Sequence, residues 1–241
     1  MFKDKVVLVT GGSSGIGAMT ALLFAEQGAD VAITYKSNKE GAENVVQKAK
    51  AFGRNAICVQ ADLTQEENAR RAVEQTMTEF RKIDILVNNA GRYVDGDEWD
   101  GSSEIWSESL QQNLVSMMSV SKYVIEIFQK QGSGVMVNVA SRHGMGGEPD
   151  ALSYAAAKAG VINITQAYAK LLAPFGRANA VSPSATDAGY WHTAPKEELE
   201  ATLARRPNHK LVDPKTVAKK VLFLASEEER DITGQNFPVA E

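Results

Sequence analysis

Cysteine is almost missing: Cys58 stands alone in 241 residues, so no internal disulfide can form. It lies in the apolar run Ala56-Ile57-Cys58-Val59, which reads as a small core residue rather than a reactive thiol. Histidine is scarce too, and His143, His192 and His209 show no metal-ligand spacing, so no metal site is expected. No apolar run reaches the ~18 residues of a membrane span. Met1-Phe2-Lys3-Asp4-Lys5 leads straight into a strand pattern, without the look of a secretory leader. Positive charge is not in excess: 26 Lys and Arg against 30 Asp and Glu leave a net charge of −4. That balance gives no electrostatic reason to expect nucleic acid or an anionic membrane as partner. Low-complexity segments, internal repeats and linkers are lacking as well. The chain therefore reads as one cytoplasmic globular domain over residues 1–241, and its 44% hydrophobic content is enough for a proper core.

What is present begins with Lys5 to Thr10, a β-branched run short enough for a strand buried on both faces. It ends in Thr10-Gly11-Gly12-Ser13-Ser14-Gly15-Ile16-Gly17, and Ala18 to Gln27 then follows a helical pattern closed by Gly28. Strand, glycine turn and helix in that order make a phosphate cradle. Glycines let the backbone approach a pyrophosphate, whose charge sits at the helix N-terminus. The spacing is Gly-x-x-x-Gly-x-Gly from Gly11; a tight βα turn without a ligand is the plainer alternative. Asp30 to Tyr35 forms the second strand. A site for NAD usually places a carboxylate at this strand end to take the ribose 2′-hydroxyl, while a basic residue suits a 2′-phosphate. Here Tyr35 and Lys36 stand in its place, with hydroxyls from Ser13 and Ser37 to add donors. The expected cofactor is NADP(H), with NAD(H) the second choice; Lys36 as a plain surface lysine is the alternative.

The alternation continues: helix Glu40 to Ala51, strand Ala56 to Ala61, helix Gln65 to Phe80, strand Ile83 to Asn88. Repeated strand–helix units predict an α/β fold of the Rossmann type, a doubly wound parallel sheet with helices on both faces. Ligands in such sheets bind beyond the carboxyl ends of the strands. Asp62-Leu63 and Asn88-Asn89-Ala90-Gly91 both fall there. Asp62 is placed to accept from an adenine amine or to make an N-cap-like turn, and the small Ala90 and Gly91 let backbone close on a cofactor.

Tyr154-Ala155-Ala156-Ala157-Lys158 sets a phenol and an ammonium on one helix face, four residues apart. Free tyrosine titrates near ~10, and a neighbouring ammonium favours the phenolate by roughly 1–3 pKa units. That would bring it toward acid/base work at neutral pH. The bland alternative is a lysine snorkelling past a half-buried tyrosine.

Thr-Gly-x-x-x-Gly-x-Gly, Asn-Asn-Ala-Gly and Tyr-x-x-x-Lys in this order resemble the short-chain dehydrogenase/reductase family, from Lys5 to about Val239. The resemblance implies two further catalytic positions beside Tyr154 and Lys158. Asn113, in Gln112-Asn113-Leu114, matches an asparagine whose backbone helps hold a water linking the lysine to solvent. Ser141, after Asn138-Val139-Ala140, matches a serine whose hydroxyl bonds the substrate carbonyl. By the same resemblance Lys158 also holds the nicotinamide ribose. Donors aimed at the oxygen that gains charge during hydride transfer are where catalysis profits most. The family also implies a homotetramer. The helices around Ile105–Lys130 and Ala151–Pro174 are apolar on more than one side, which suits burial between subunits.

After a sixth strand, Arg177 to Val181, the family's Pro-Gly and later threonine are replaced by Pro183-Ser184 and Ala188. Backbone contacts to the cofactor near Pro183 and Thr186 remain expected. Residues 189–206, with Tyr190, Trp191 and His192, look like the family's variable lid over the substrate. Tyr190, Trp191, Arg142 and His143 are the candidate substrate contacts. Pro214 to Leu224 reads as a helix and Thr233 to Val239 as the last strand; the sequence ends at Glu241 without the family's Asp-Gly-Gly, a difference expected to alter a subunit contact.

The leading expectation is an NADP-dependent carbonyl reductase or alcohol dehydrogenase acting on a small molecule. A 3-oxoacyl-carrier-protein reductase shares every motif but would need a basic surface for its acidic carrier, with Arg142, Lys122 and Lys130 as candidates. A glucose-type sugar dehydrogenase is a third reading. A non-catalytic dinucleotide sensor is the alternative of another class, and it has no need of Tyr154 with Lys158.

Overall fold

The computed structural model describes residues 1–239. Seven short apolar runs pair in parallel as one sheet of order β3-β2-β1-β4-β5-β6-β7. The strands are β1 (Val6–Val9), β2 (Asp30–Tyr35), β3 (Ala56–Gln60), β4 (Ile85–Asn88), β5 (Gly134–Val139), β6 (Gly176–Pro183) and β7 (Asn236–Val239). Between them run α1 (Gly15–Glu26), α2 (Lys39–Ala51), α3 (Glu66–Phe80), α4 (Ser103–Leu110), α5 (Ser116–Gln131), α6 (Leu152–Leu172), α7 (Lys196–Ala204) and α8 (Pro214–Ala225).

Strand period sorts the side chains into two layers. Val7, Val9, Val31 and Ile33 point to one face, where they join Phe24, Val45 and Leu224 from α1, α2 and α8. Leu8, Ala32 and Leu86 point to the other and meet Val73, Phe128 and Leu172 from α3, α5 and α6. Both faces are thus covered, which is why the strands read as unbroken apolar runs rather than alternating ones. β1 pairs with β2 on one side and β4 on the other. The chain order reverses there, and the crevice above that point is the natural ligand site of such a sheet.

Most strand and helix ends fall within a few residues of the sequence reading, and three departures bear on the site. α1 starts at Gly15, inside the glycine motif, rather than at Ala18. The long helix expected around Ile105–Lys130 is interrupted by a π turn at Gln111–Val115, where Ser116 N donates to Gln111 O, five residues back. The expected lid carries a short 3₁₀ turn, Gly189–His192, and then α7. Its two ends are pinned together, with Asp187 N donating to Val212 O and Val212 N to Ala185 O, each at 2.9 Å. Glu241, whose unusual end was noted above, lies outside the described residues.

Candidate active site

The glycine loop is held from two sides. Gly11 N donates to Thr34 Oγ1 at 3.1 Å and Gly12 N to Thr34 O at 2.8 Å, tying it to β2. Asn89 Nδ2 donates to the carbonyls of Thr10 and Gly11 at 2.9 and 3.1 Å, tying it to the end of β4. A Cβ at Gly17 would lie 2.3 Å from Gly11 O, so only glycine permits this curl. At the start of α1 the N-cap Ser14 makes no side-chain cap and the first turn holds no acid. The unpaired N–H groups of a helix N-terminus and its positive dipole end therefore face the crevice, which fits a pyrophosphate. A Cβ at Gly15 would sit 3.0 Å from Ala188 Cβ, so the segment after β6 closes over the loop.

The residues expected around the adenosine end separate into exposed and engaged ones. Lys36 and Ser37 are exposed, but Lys36 Nζ lies 2.8 Å from Asp62 Oδ2. Asp62 Oδ1 accepts from Thr64 N and Oγ1 at 3.1 and 2.8 Å. Burial works to raise the Asp62 carboxyl, yet hydrogen bonds from Lys36 and Thr64 outweigh it and hold the group below its ordinary value. Tyr35 and Leu63 are buried, one in each of the two core layers. Ser13 is half-buried, its carbonyl accepting from Asn38 Nδ2 at 3.4 Å. Thr186 spends its hydroxyl on Ser184 O at 2.8 Å, and Pro183 ends β6 against Val239.

α6 carries Tyr154 and Lys158 across the carboxyl end of the sheet. A buried ladder fixes it there: Asn88 Nδ2 donates to Asn138 Oδ1 and Asn138 Nδ2 to Thr165 Oγ1, each at 2.9 Å. Lys158 is 4% exposed and donates to Val139 O at 3.0 Å. Burial pulls its ammonium down to about 8. Gly91, at φ +153, brings two catalytic candidates together: a Cβ there would lie 2.5 Å from Asn113 Oδ1 and 3.5 Å from Lys158 Nζ. Asn113 sits in the π turn and donates from Nδ2 to Arg92 O and Ser109 O at 2.7 and 3.0 Å. Its Oδ1 is buried and, among the described residues, has no hydrogen-bond partner, an acceptor turned toward the ammonium side of the site. A nicotinamide ribose, with its hydroxyl donors, suits that surface.

The phenol departs from the sequence expectation. Lys158 Nζ lies 5.6 Å from the centroid of the Tyr154 ring, over its face. Burial raises the Tyr154 phenol above its ordinary value, and the lowering influence is the hydrogen bond with Ser141, not Lys158. Desolvation therefore outweighs the ammonium, whose charge is turned to Val139 O.

Around Tyr154 the rings form a continuous wall. His143 packs edge-on against it at 5.9 Å, and the backbone N of His143 donates to Ser141 Oγ at 3.2 Å. Tyr93 packs against Tyr154 at 6.3 Å and against Tyr190 at 5.1 Å, and Tyr190 meets Trp191 at 5.4 Å. Arg142 is exposed at the rim. Tyr93, which donates to Asp150 O at 2.9 Å, escaped the sequence reading although it stands two residues after Gly91. Asp97 escaped it too. It lies in the acidic stretch Asp95 to Asp100, which reads as solvated loop, yet it is fully buried.

A family model described as enoyl-(acyl carrier protein) reductase matches residues 11–241. The 3-oxoacyl-(acyl-carrier-protein) reductase FabG of Thermotoga maritima is 37% identical over 234 residues, 97% of this chain and 95% of the relative. Among solved structures, NAD⁺-bound xylitol dehydrogenase superposes with a TM-score of 0.92 at 30% identity, covering 99% of this chain and 98% of its own. A variant of actinorhodin polyketide ketoreductase with NADPH gives 0.91 at 28% identity, covering 100% and 98%.

Proposed function

The chain belongs to the short-chain dehydrogenase/reductase family, and from that membership we propose an NADP(H)-dependent oxidoreductase that interconverts a carbonyl and an alcohol. The observation that carries the reading is the convergence of Gly91, Asn113 and Lys158 beside Tyr154, at the sheet end that also holds the uncapped N-terminus of α1. The nicotinamide nucleotide, when bound, supplies or takes up the hydride.

The remaining work falls to side chains. Ser141 and Tyr154 donate to the carbonyl oxygen as negative charge builds on it, and Tyr154 gives up its proton. A phenol raised by burial is held protonated at neutral pH, which suits a proton donor in reduction. Lys158 holds the ribose and, once drawn from Val139 O, stabilises the phenolate left behind. Asn113 takes its place on the path that returns a proton from solvent. Lys36, with Ser13 and Ser37, receives the 2′-phosphate in competition with Asp62. The backbone at Ser14, Ile16 and Gly17 holds the pyrophosphate, and Asn89, Ala90, Pro183 and Thr186 border the crevice. Tyr190, Trp191, His143 and Arg142 line the substrate side.

The likeness to FabG supports a second reading, reduction of a 3-oxoacyl thioester on a carrier protein. Of the basic candidates for its docking, Lys122 is already bound to Glu66 at 2.8 Å, leaving Arg142 at the rim and Lys130 at the end of α5. A homotetramer in the cytoplasm completes the proposal. Leu110, Val115 and Met118 on one helical stretch, with Leu152 and Leu171 on α6, are exposed apolar residues suited to a subunit contact. Among the described residues no helix is long and apolar enough to cross a membrane.

The test is NADPH oxidation with an acetoacetyl thioester and simple ketones, NADH in parallel and Tyr154→Phe as control. Turnover dependent on Tyr154 with a preference for NADPH is expected. Activity that survives Tyr154→Phe sinks the mechanism, and faster turnover of the thioester than of every ketone selects the carrier-protein reading.

A further inference from the structure

α6 begins without a cap of its own. Its N-cap position is Ala151, whose methyl group accepts nothing, and its first turn contains no acid. The N–H groups that open any helix must nevertheless find acceptors when buried. Here three in succession end on one residue from a loop far upstream. Leu152 N donates to Asp97 O at 2.9 Å, Ser153 N to Asp97 Oδ1 at 2.9 Å and Tyr154 N to Asp97 Oδ2 at 2.7 Å. Ser153 Oγ adds a fourth bond to Oδ1 at 2.6 Å.

The same carboxylate reaches a second catalytic element. Ser109 Oγ, in α4, donates to Asp97 Oδ2 at 3.4 Å, and the carbonyl of Ser109 accepts from Asn113 Nδ2 at 3.0 Å. One oxygen of Asp97 is thus shared between the backbone of Tyr154 and Ser109, the α4 residue whose carbonyl takes the Asn113 amide. Asp97 is 0% exposed. A buried carboxylate costs several kcal/mol unless it is fully satisfied, so a residue of this kind needs a compensating return. A helix cap alone is served as well by a serine or asparagine at position 151.

We propose that Asp97 is a positioning residue for the hydride-transfer reaction: it sets the axial place and rotation of the first turn of α6, and with them the Tyr154 phenol, against the turn that carries Asn113. The loop it anchors also presents Tyr93 to the Tyr154 ring. The proposal rests on reading Tyr154 as the acid/base group.

Asp97→Asn tests it, assayed well below its melting temperature so that the enzyme is folded, beside Tyr154→Phe. A misplacement of the reacting group on the scale of an ångström lowers kcat roughly 10- to 100-fold, while the Kd for NADPH stays within about twofold because no Asp97 bond reaches the glycine loop. On kcat, Ser109→Ala added to Asp97→Asn costs less than the sum of the two single losses, since both act through one hydrogen-bond chain. A wild-type kcat per folded molecule overturns the proposal, as does an equal loss in NADPH affinity, which would mark general damage. Should Asp97→Asn not fold, Ser153→Ala removes one donor and leaves the backbone bonds; a loss of kcat of roughly threefold or more at constant NADPH affinity is expected. A wild-type kcat there overturns the proposal too. A fully active Tyr154→Phe sinks the reading of the site and this proposal with it. An inactive Tyr154→Phe beside an unimpaired Asp97→Asn sinks this proposal alone.

Discussion

Lys158→Met should make the nucleotide-free protein more stable at neutral pH, while destroying the site. The ammonium is 4% exposed, donates to one carbonyl, stands over the Tyr154 ring and has burial as the cause of its shift from 10.5 to about 8. At pH 7 both folded and unfolded chains hold the proton, and keeping it in the folded state costs roughly 3 kcal/mol. Methionine fills a similar volume and removes that cost, but leaves Val139 O without its donor, a loss of about 1 kcal/mol. The net gain is about 2 kcal/mol, or roughly 4–8 °C in melting temperature for a chain of this size. The sign with pH follows from the lowered value. Between about 8 and 10.5 the unfolded chain binds a proton that the folded one refuses, so wild-type stability rises with pH across that window. Below it the penalty is constant; above it the penalty is gone. Urea unfolding of both proteins from pH 7 to 10 should therefore show a gap that is nearly constant up to about 8 and narrows from there. A gap independent of pH, or a wild type that is the more stable at pH 7, refutes the reasoning.

Gly91→Ala should lower kcat and destabilise the protein by about 2 kcal/mol, because φ +153 and a contact of 2.5 Å with Asn113 Oδ1 forbid a side chain; an unchanged urea midpoint and rate would contradict the geometry. Lys36→Ala should weaken NADPH binding by roughly five- to tenfold, the charge-assisted bond to a phosphate less the exposed pair with Asp62, and leave NADH nearly untouched. Isothermal titration reads both, and equal losses would remove Lys36 from the 2′-phosphate site.

What the sequence revealed and what it hid divide along physical lines. Buried parallel strands are continuous apolar runs, and a glycine curl or a four-residue spacing on a helix is a local pattern, so the sheet, the glycine turn that opens α1 and the placing of Tyr154 and Lys158 on one helix were readable. The burial of Tyr35 was not readable, because a tyrosine at a strand end carries no mark of which face it takes; the strand period places it in the core layer with Ile33. The balance of forces on Tyr154 was hidden for a different reason. Spacing places an ammonium near a phenol, but whether its charge or the loss of water prevails depends on burial and on a carbonyl in another strand. Asp97 was the most deeply hidden, since its partners on α6 lie over fifty residues downstream and the acids beside it in sequence are exposed.

The π turn at Gln111–Val115 makes this enzyme sensitive to counting. One additional residue is wound into that turn, which rotates everything after it by about 100° relative to an unbroken α helix. Val120, Val124 and Phe128 reach the sheet only because of that offset. Loss of a single residue here would keep the composition and the hydropathy of the segment, yet swing those side chains toward solvent and carry Asn113 away from Gly91. Exchanges of one side chain for another are therefore open to evolutionary drift in this stretch, whereas insertions and deletions are not. In a lineage of such proteins, the number of residues from Asn113 to Phe128 should be more constant than the letters that fill it.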